Sequence, residues 1–327
     1  MYETIQTMSE KTDDEVGKHI RAAYESLKDG KAGDALDFLK QALAVDFEHP
    51  EVLYALKCLN WWIEKIKRLD EFQDHFERGE YILSQWKPYY VFLDRIFEAS
   101  SPAESYDNCQ YAIKRFVFIM ALEYFTKILG DGNNQQDPVL LLQAGRCCKG
   151  AGNWENALKY LEQAGGLKKD DSAILSELAD INALLGDERA AKVLFREAFF
   201  LDPPGIDLEA MESEMIICLR DRVGQFGYQG RELAEWIPVW GSIWGIFSVK
   251  RELKPVELGR LKQSILSMEN EYRSKKNGDP ILKPRLLNRY FWLIDHCEQN
   301  RDTAGLVDET MLKIKFIDPA VYDQYKT

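Results

Sequence analysis

The chain has 327 residues, 46% of them hydrophobic and 29% charged, a balance that builds a packed core and excludes a disordered polymer. Lys and Arg number 42 against 54 Asp and Glu, so the formal net charge is −12. Phosphate neutralisation needs clustered cations, so this charge speaks against a nucleic-acid partner and against docking on anionic lipid by charge alone. Four His leave little material for imidazole-based metal or acid–base chemistry.

Residues 1–13 read as an N-terminal extension without a basic segment followed by an apolar one, so no secretory signal is visible and the expected compartment is the cytoplasm. The six cysteines form no CxxC pair and read as reduced, packed thiols. Helical spacing runs through nearly the whole chain, and strand alternation is scarce. A first helical pair is expected over 14–50, with Gly30, Ala35, Leu39 and Ala42 along it and Pro50 closing it. Helices are expected near 51–68, 70–98 and 103–129, the second kinked or divided at Pro88. Residues 111–129 are apolar on most sides, which predicts burial between neighbours. The acidic and amide-rich loop 131–137 lacks the Gly and terminal Glu spacing of a calcium loop.

Residues 138–171 and 172–205 align in phase. Gly152 pairs with Gly186, Ala157 with Ala191, Leu161 with Phe195 and Ala164 with Ala198, each pair 34 residues apart. Small residues (Gly145 and Ala179, Ala157 and Ala191) suit two helices that cross closely. Glycine suits the turn between them, a large apolar residue fills the gap one turn later, and Pro203 stops the last helix. Residues 207–225 read as a further first helix, and 226–285 fit no repeat. That stretch holds a Trp-rich segment at 236–249, a charged helix near 255–275 and a polar loop at 274–284. A degenerate terminal copy over 286–319 carries Val307, Met311, Ile314 and Pro319, with Asp302 where the turn glycine belongs.

On these residues, and best over 186–203, the chain resembles the tetratricopeptide (TPR) repeat family, in a bacterial-type form. The resemblance implies an all-α, TPR-like α-solenoid: a superhelix of antiparallel helix pairs over 14–206 with an irregular middle at 51–136, then an embellished C-terminal third at 207–327. It also implies a concave groove lined by the first helix of each pair, where the family holds extended peptides. The groove-facing set would be Ile20, Tyr24 and Leu27, then Val139, Leu142, Arg146 and Lys149, then Ala173, Ser176, Asp180 and Ala183. Only Arg146 could serve in a carboxylate clamp of the co-chaperone kind, so a receptor for chaperone tails is not expected. Arg146 and Lys149 are basic in an acidic chain, which points to a partner with an acidic segment; salt bridges to Glu155 or Asp180 are the alternative.

No phosphate-binding, dinucleotide, zinc-protease or serine-hydrolase motif is present in the sequence, and neither catalytic residues nor a cofactor is expected. Glu71 and His75 lie one helical turn apart and read as a solvated pair rather than metal ligands. Cys147-Cys148 and His296-Cys297 read as packing. Trp236, Trp240 and Trp244 recur every four residues with Ile243 and Phe247 on the same side, a helical stripe opened by Pro238 near its first turn. Gly241 and Gly245 would let another helix approach closely. The stripe is core, a surface for self-association or a partner, or a shallow membrane contact helped by Lys250 and Arg251; the expectation is that it is at least partly an interaction surface. No stretch is long and apolar enough to span a bilayer. The expected function is a non-enzymatic protein–protein interaction scaffold. A homo-oligomeric assembly protein and a helical binder of a hydrophobic small molecule or lipid are the alternatives.

Overall fold

The computed structural model describes residues 2–97, 105–130, 136–247, 253–274, 279–299 and 304–326. All regular structure among them is helical, with no strand, and the helices pack in neighbouring pairs. The chain divides into two compact units, residues 1–164 and 165–327. Residues 131–135 of the acidic and amide-rich loop, the cations Lys250 and Arg251, and Asp302 lie outside the described residues.

The first unit holds α1 (Tyr2–Lys28), α2 (Ala32–Val45), α3 (Pro50–Ile66), α4 (His75–Ser84), α5 (Trp86–Phe97), α6 (Ser105–Gly130), α7 (Pro138–Gly150) and α8 (Trp154–Leu167), the last running past the unit's boundary. Helix α1 is continuous through the residues read as an extension. A 3-10 turn over Lys67–Glu71 separates α3 from α4. The stretch 70–98, expected as a helix kinked or divided at Pro88, is divided into two helices, which part at Gln85, before the proline. Pro88 falls in the first turn of α5, where its missing N–H costs nothing. Helix α6 packs against α1, α3, α4 and α7. Its Cys109, Ala112, Ile113, Phe116, Val117, Ala121 and Phe125 are all buried, as an apolar surface on most sides requires. Tyr111 alone among its large apolar residues stays half-exposed.

Three helix–turn–helix joints have the same geometry. Gly30, Gly152 and Gly186 take φ of +80°, +75° and +89°, a region closed to most residues with a Cβ. In each, the N–H of the next residue reaches back five positions to a carbonyl at 2.8 Å: Lys31 to Ser26, Asn153 to Cys148, Asp187 to Asn182. This is the Schellman closure, which satisfies carbonyls that a helix end leaves free. Ala35, Ala157 and Ala191 then sit fully buried, as do Leu39, Leu161 and Phe195, and Ala42, Ala164 and Ala198. At Gly145 a Cβ would lie 2.6 Å from the Leu161 side chain, so only glycine lets α7 approach α8 this closely. The Asp137 side chain accepts the N–H groups of Val139 and Leu140 and so starts α7.

The second unit holds α9 (Ser172–Leu184), α10 (Glu188–Leu201), a 3-10 turn at Pro203–Gly205, α11 (Glu214–Gly224), α12 (Gly230–Ile243), α13 (Pro255–Ser274), α14 (Leu282–Gln299), α15 (Ala304–Ile317) and α16 (Pro319–Lys326). Asp171 starts α9 as Asp137 starts α7. Helix α14 packs against α12, α13 and α15 and supplies Leu286, Leu287, Tyr290, Phe291 and Ile294 to the core. Two ion pairs tie it inward. Arg285 grips the buried Glu235 of α12, and Arg196 of α10 meets Asp295 while lying 4.6 Å from the Trp292 ring centroid. Burial pushes the Glu235 carboxyl above its usual range, and Arg285 works against that. In α15, the second helix of the degenerate terminal copy, the buried positions among the described residues are Thr310 and Ile314, while Val307 and Met311 are only partly covered.

Candidate interaction site

Little of the groove-facing set reaches the surface. In the first unit Ile20, Tyr24 and Leu27 are buried, and the Tyr24 hydroxyl donates to Glu51 Oε1 at 2.9 Å. Leu142 is buried, Lys149 is only 2% exposed, and Arg146 is half-buried beside Glu80. Gln143 donates to the same Glu80 carboxylate at 2.7 Å. Of this set only Val139, at 50%, is exposed. In the second unit Ser176 is buried and its hydroxyl donates to the Ala173 carbonyl. Asp180 is also buried, accepting the backbone N–H groups of Glu212 at 2.9 Å and Ser213 at 2.8 Å. Its carboxylate therefore fastens the start of α11 instead of facing a ligand. Of the basic pair read as an acid-binding feature, Lys149 is covered and Arg146 half-covered, and both side chains have partners in the fold.

The Trp-rich segment departs further from its sequence reading. Every residue of α12 from 234 to 241 is buried, so the helix is surrounded rather than striped. Pro238 lies inside the helix, eight residues after its start, not near the first turn. Trp236, Trp240 and Phe247 belong to the core of the second unit. Of the two glycines, Gly241 lets α11 come close, since a Cβ there would lie 3.2 Å from the Leu219 side chain, but its tightest neighbour is not on another helix. A Cβ on Gly241 would meet the Phe247 ring at 2.5 Å, because the chain folds back and lays that ring on the glycine. Gly245, with φ +71° and open space around it, provides the reversal. Of the stripe, only Trp244 is partly exposed among the four aromatic residues singled out.

What stands at the surface is the layer over these tryptophans. Phe226, 53% exposed, stacks on Trp240 at 4.7 Å and 18° and reaches Trp244 at 6.3 Å. Tyr228 stacks on Trp236 at 4.9 Å and 12°. The exposed Arg222 places its guanidinium carbon 3.8 Å from the centroid of the Trp244 ring. It makes no ion pair among the described residues, so the N–H edge of the guanidinium is open to solvent. Aromatic rings flanking an arginine on a rigid helical base are the composition that dominates binding energy in protein interfaces. Phe226 and Tyr228 escaped the sequence reading because 225–229 is a turn between α11 and α12, and a turn carries no periodicity to mark the side that faces outward; Arg222, in the last turn of α11, gains its meaning only from the Trp244 ring beyond that turn.

No protein-family model matches the chain. A search of curated proteins also finds no match. Among the described residues, no group of three or more His, Cys, Asp or Glu is placed to hold a metal ion. No helix among them is long and apolar enough to cross a membrane.

Proposed function

We propose that this protein is a non-enzymatic scaffold of the cytoplasm, built on TPR-like helical hairpins, that docks a partner protein on the ledge formed by Arg222, Phe226, Tyr228 and Trp244. The three joints at Gly30, Gly152 and Gly186 support the TPR-like part of this reading. The observation that carries the docking part is the exposed Arg222, stacked on Trp244 and without an ion pair among the described residues, on a chain of net charge −12. A stacked guanidinium is already oriented and partly desolvated, and a carboxylate accepts two of its N–H groups at once. The partner segment therefore brings an apolar side chain for Phe226 and an Asp or Glu for Arg222.

Selection of a displayed peptide library on the purified chain tests this. Sequences pairing an aromatic or large aliphatic residue with an acidic one should be enriched. Arg222→Glu should abolish that enrichment, and Trp244→Ala should weaken the selected peptides by roughly 2 kcal/mol, about 30-fold. Peptides that bind both variants as they bind the parent would remove the ledge as the docking point.

A second reading, self-association, is favoured by Leu312 and Phe316. They lie one turn apart on α15 and are 65% and 89% exposed. Sedimentation of Phe316→Glu against the parent chain separates the two readings: a drop in mass marks α15 as a contact between copies.

A further inference from the structure

Helix α15 packs against α14 and α16. The side it leaves to solvent holds Gly305, Asp308, Glu309, Leu312, Lys315 and Phe316. At about 100° per residue, Leu312 forms the middle of that side. Asp308 and Lys315 fall along one edge of it, and Gly305, Glu309 and Phe316 along the other.

The other charges in and next to the helix are matched within the fold. Lys313 pairs with Glu309 at 3.0 Å and with Glu269 of α13 at 3.2 Å. Asp318, which follows the helix, pairs with Lys283 at 2.6 Å. Asp308 and Lys315 make no ion pair among the described residues. Lys315 places its Nζ 5.3 Å from the centroid of the Tyr322 ring. The two opposite charges stand about 10 Å apart along the axis, too far to pair with each other, with the exposed Leu312 between them.

We propose that this side of α15 is the contact between two copies of the chain, with the two helices antiparallel about a two-fold axis beside Leu312. The proposal rests on the self-association reading above and gives it a direction and a register. A two-fold axis perpendicular to the helix keeps each edge on its own side while reversing its direction. Asp308 of each copy then faces Lys315 of the other, and the symmetry makes this pair twice. Leu312 meets its counterpart at the centre. Phe316 lies over the other copy near Gly305, where a Cβ would meet nothing within 4 Å, so there is room for the ring. A parallel pair would instead set Asp308 against Asp308 and Lys315 against Lys315, like charges at the same level. The charge order acid, apolar, base is therefore complementary to itself only when reversed, which selects a second copy and its direction together. The antiparallel helix dipoles act in the same sense.

The test is sedimentation equilibrium of the full chain at low salt over a concentration series. The parent should be a dimer that loosens on dilution and on addition of salt. Asp308→Lys alone and Lys315→Asp alone should each weaken it about ten-fold, because each sets like charges together at both symmetry-related contacts. Combining Asp308→Lys with Lys315→Asp restores opposite charges and should bring the dissociation constant back to within about two-fold of the parent. Both positions are exposed, so every variant should keep the parent's helical circular dichroism and unfolding midpoint. A dimer that Phe316→Glu breaks but the single charge reversals leave unchanged keeps self-association and overturns the antiparallel register. A double variant weaker than either single one overturns the register as well. A chain that stays monomeric at every concentration overturns both the register and the self-association reading.

Discussion

The joint between α7 and α8 and the turn after α12 both rest on a glycine that touches a large apolar side chain. At Gly145 the side chain is Leu161, from the next helix, and at Gly241 it is Phe247, from six residues further along the same chain. In the first case the small residue marks a helix crossing, as its place in a repeated pattern implies. In the second the same signal, a small residue beside an aromatic stripe, marks a segment folding back on itself. A glycine in a helix says that something approaches closely. Only a repeat that also fixes the partner's position says what approaches.

The largest effects should come from removing the approaching side chain. Phe247→Ala is expected to cost about 3–5 kcal/mol and Leu161→Ala about 2–5 kcal/mol, read by denaturant unfolding of each variant. Equal losses would make the two contacts energetically alike despite their different origins. Next come the glycines. Gly145→Ala and Gly241→Ala each force a Cβ into a ring or branched side chain and should cost about 1–3 kcal/mol. Each should be partly rescued when combined with its Ala partner, so a double-mutant cycle gives a coupling of about 0.5–3 kcal/mol within a pair and none across pairs. Additivity within the Gly241–Phe247 pair would show that the fold-back does not set the helix end. Ala191→Leu, a repeat position with no free space, should lose a similar 1–3 kcal/mol or so, extending the first half of the comparison to the next hairpin.

A smaller effect is expected at the caps of the regular hairpins. Asp171 accepts the N–H groups of Ala173 at 2.9 Å and Ile174 at 3.2 Å, and its carboxylate pairs with Lys168 at 2.7 Å. Burial pushes its carboxyl upward, but Lys168 and the two N–H groups outweigh that and hold it below the ordinary value. A lowered carboxylate pKa contributes stability above its unfolded value, and that contribution is lost as pH falls through the folded one. Asp171→Ala should therefore cost about 1 kcal/mol at neutral pH and close to nothing in strong acid. A loss that persists in acid would assign the residue's role to packing. The smallest effect belongs to the ledge. Phe226→Ala should leave stability within about 0.5 kcal/mol, since half of that ring already faces water, while peptide binding falls.

The helical hairpins were legible in the sequence because their determinants are local. A turn glycine, an alanine five residues on and a large apolar residue one turn later occur within one helix pair, and the 34-residue period repeats the test. The Trp-rich segment was legible as a helix but not as a buried one. Spacing every four residues names one face, whereas α12 is covered on all faces by α10, α11, α14 and the 3-10 turn at Pro203–Gly205. No pattern within fourteen residues can report that.

The sequence by itself determined the all-helical class, the three glycine joints and the residues packed beside them, because each follows from contacts made within about 35 residues. The tertiary structure alone decided which polar side chains are free to act. Lys149, Asp180 and Tyr24 looked available and are engaged inside the fold, while Arg222 and Phe226 carry no sequence signal and stand exposed on a ring of the core. The reason is that burial belongs to the neighbours a residue acquires from distant parts of the chain. Asp180 is held by residues 32 and 33 positions away and Tyr24 by one 27 away.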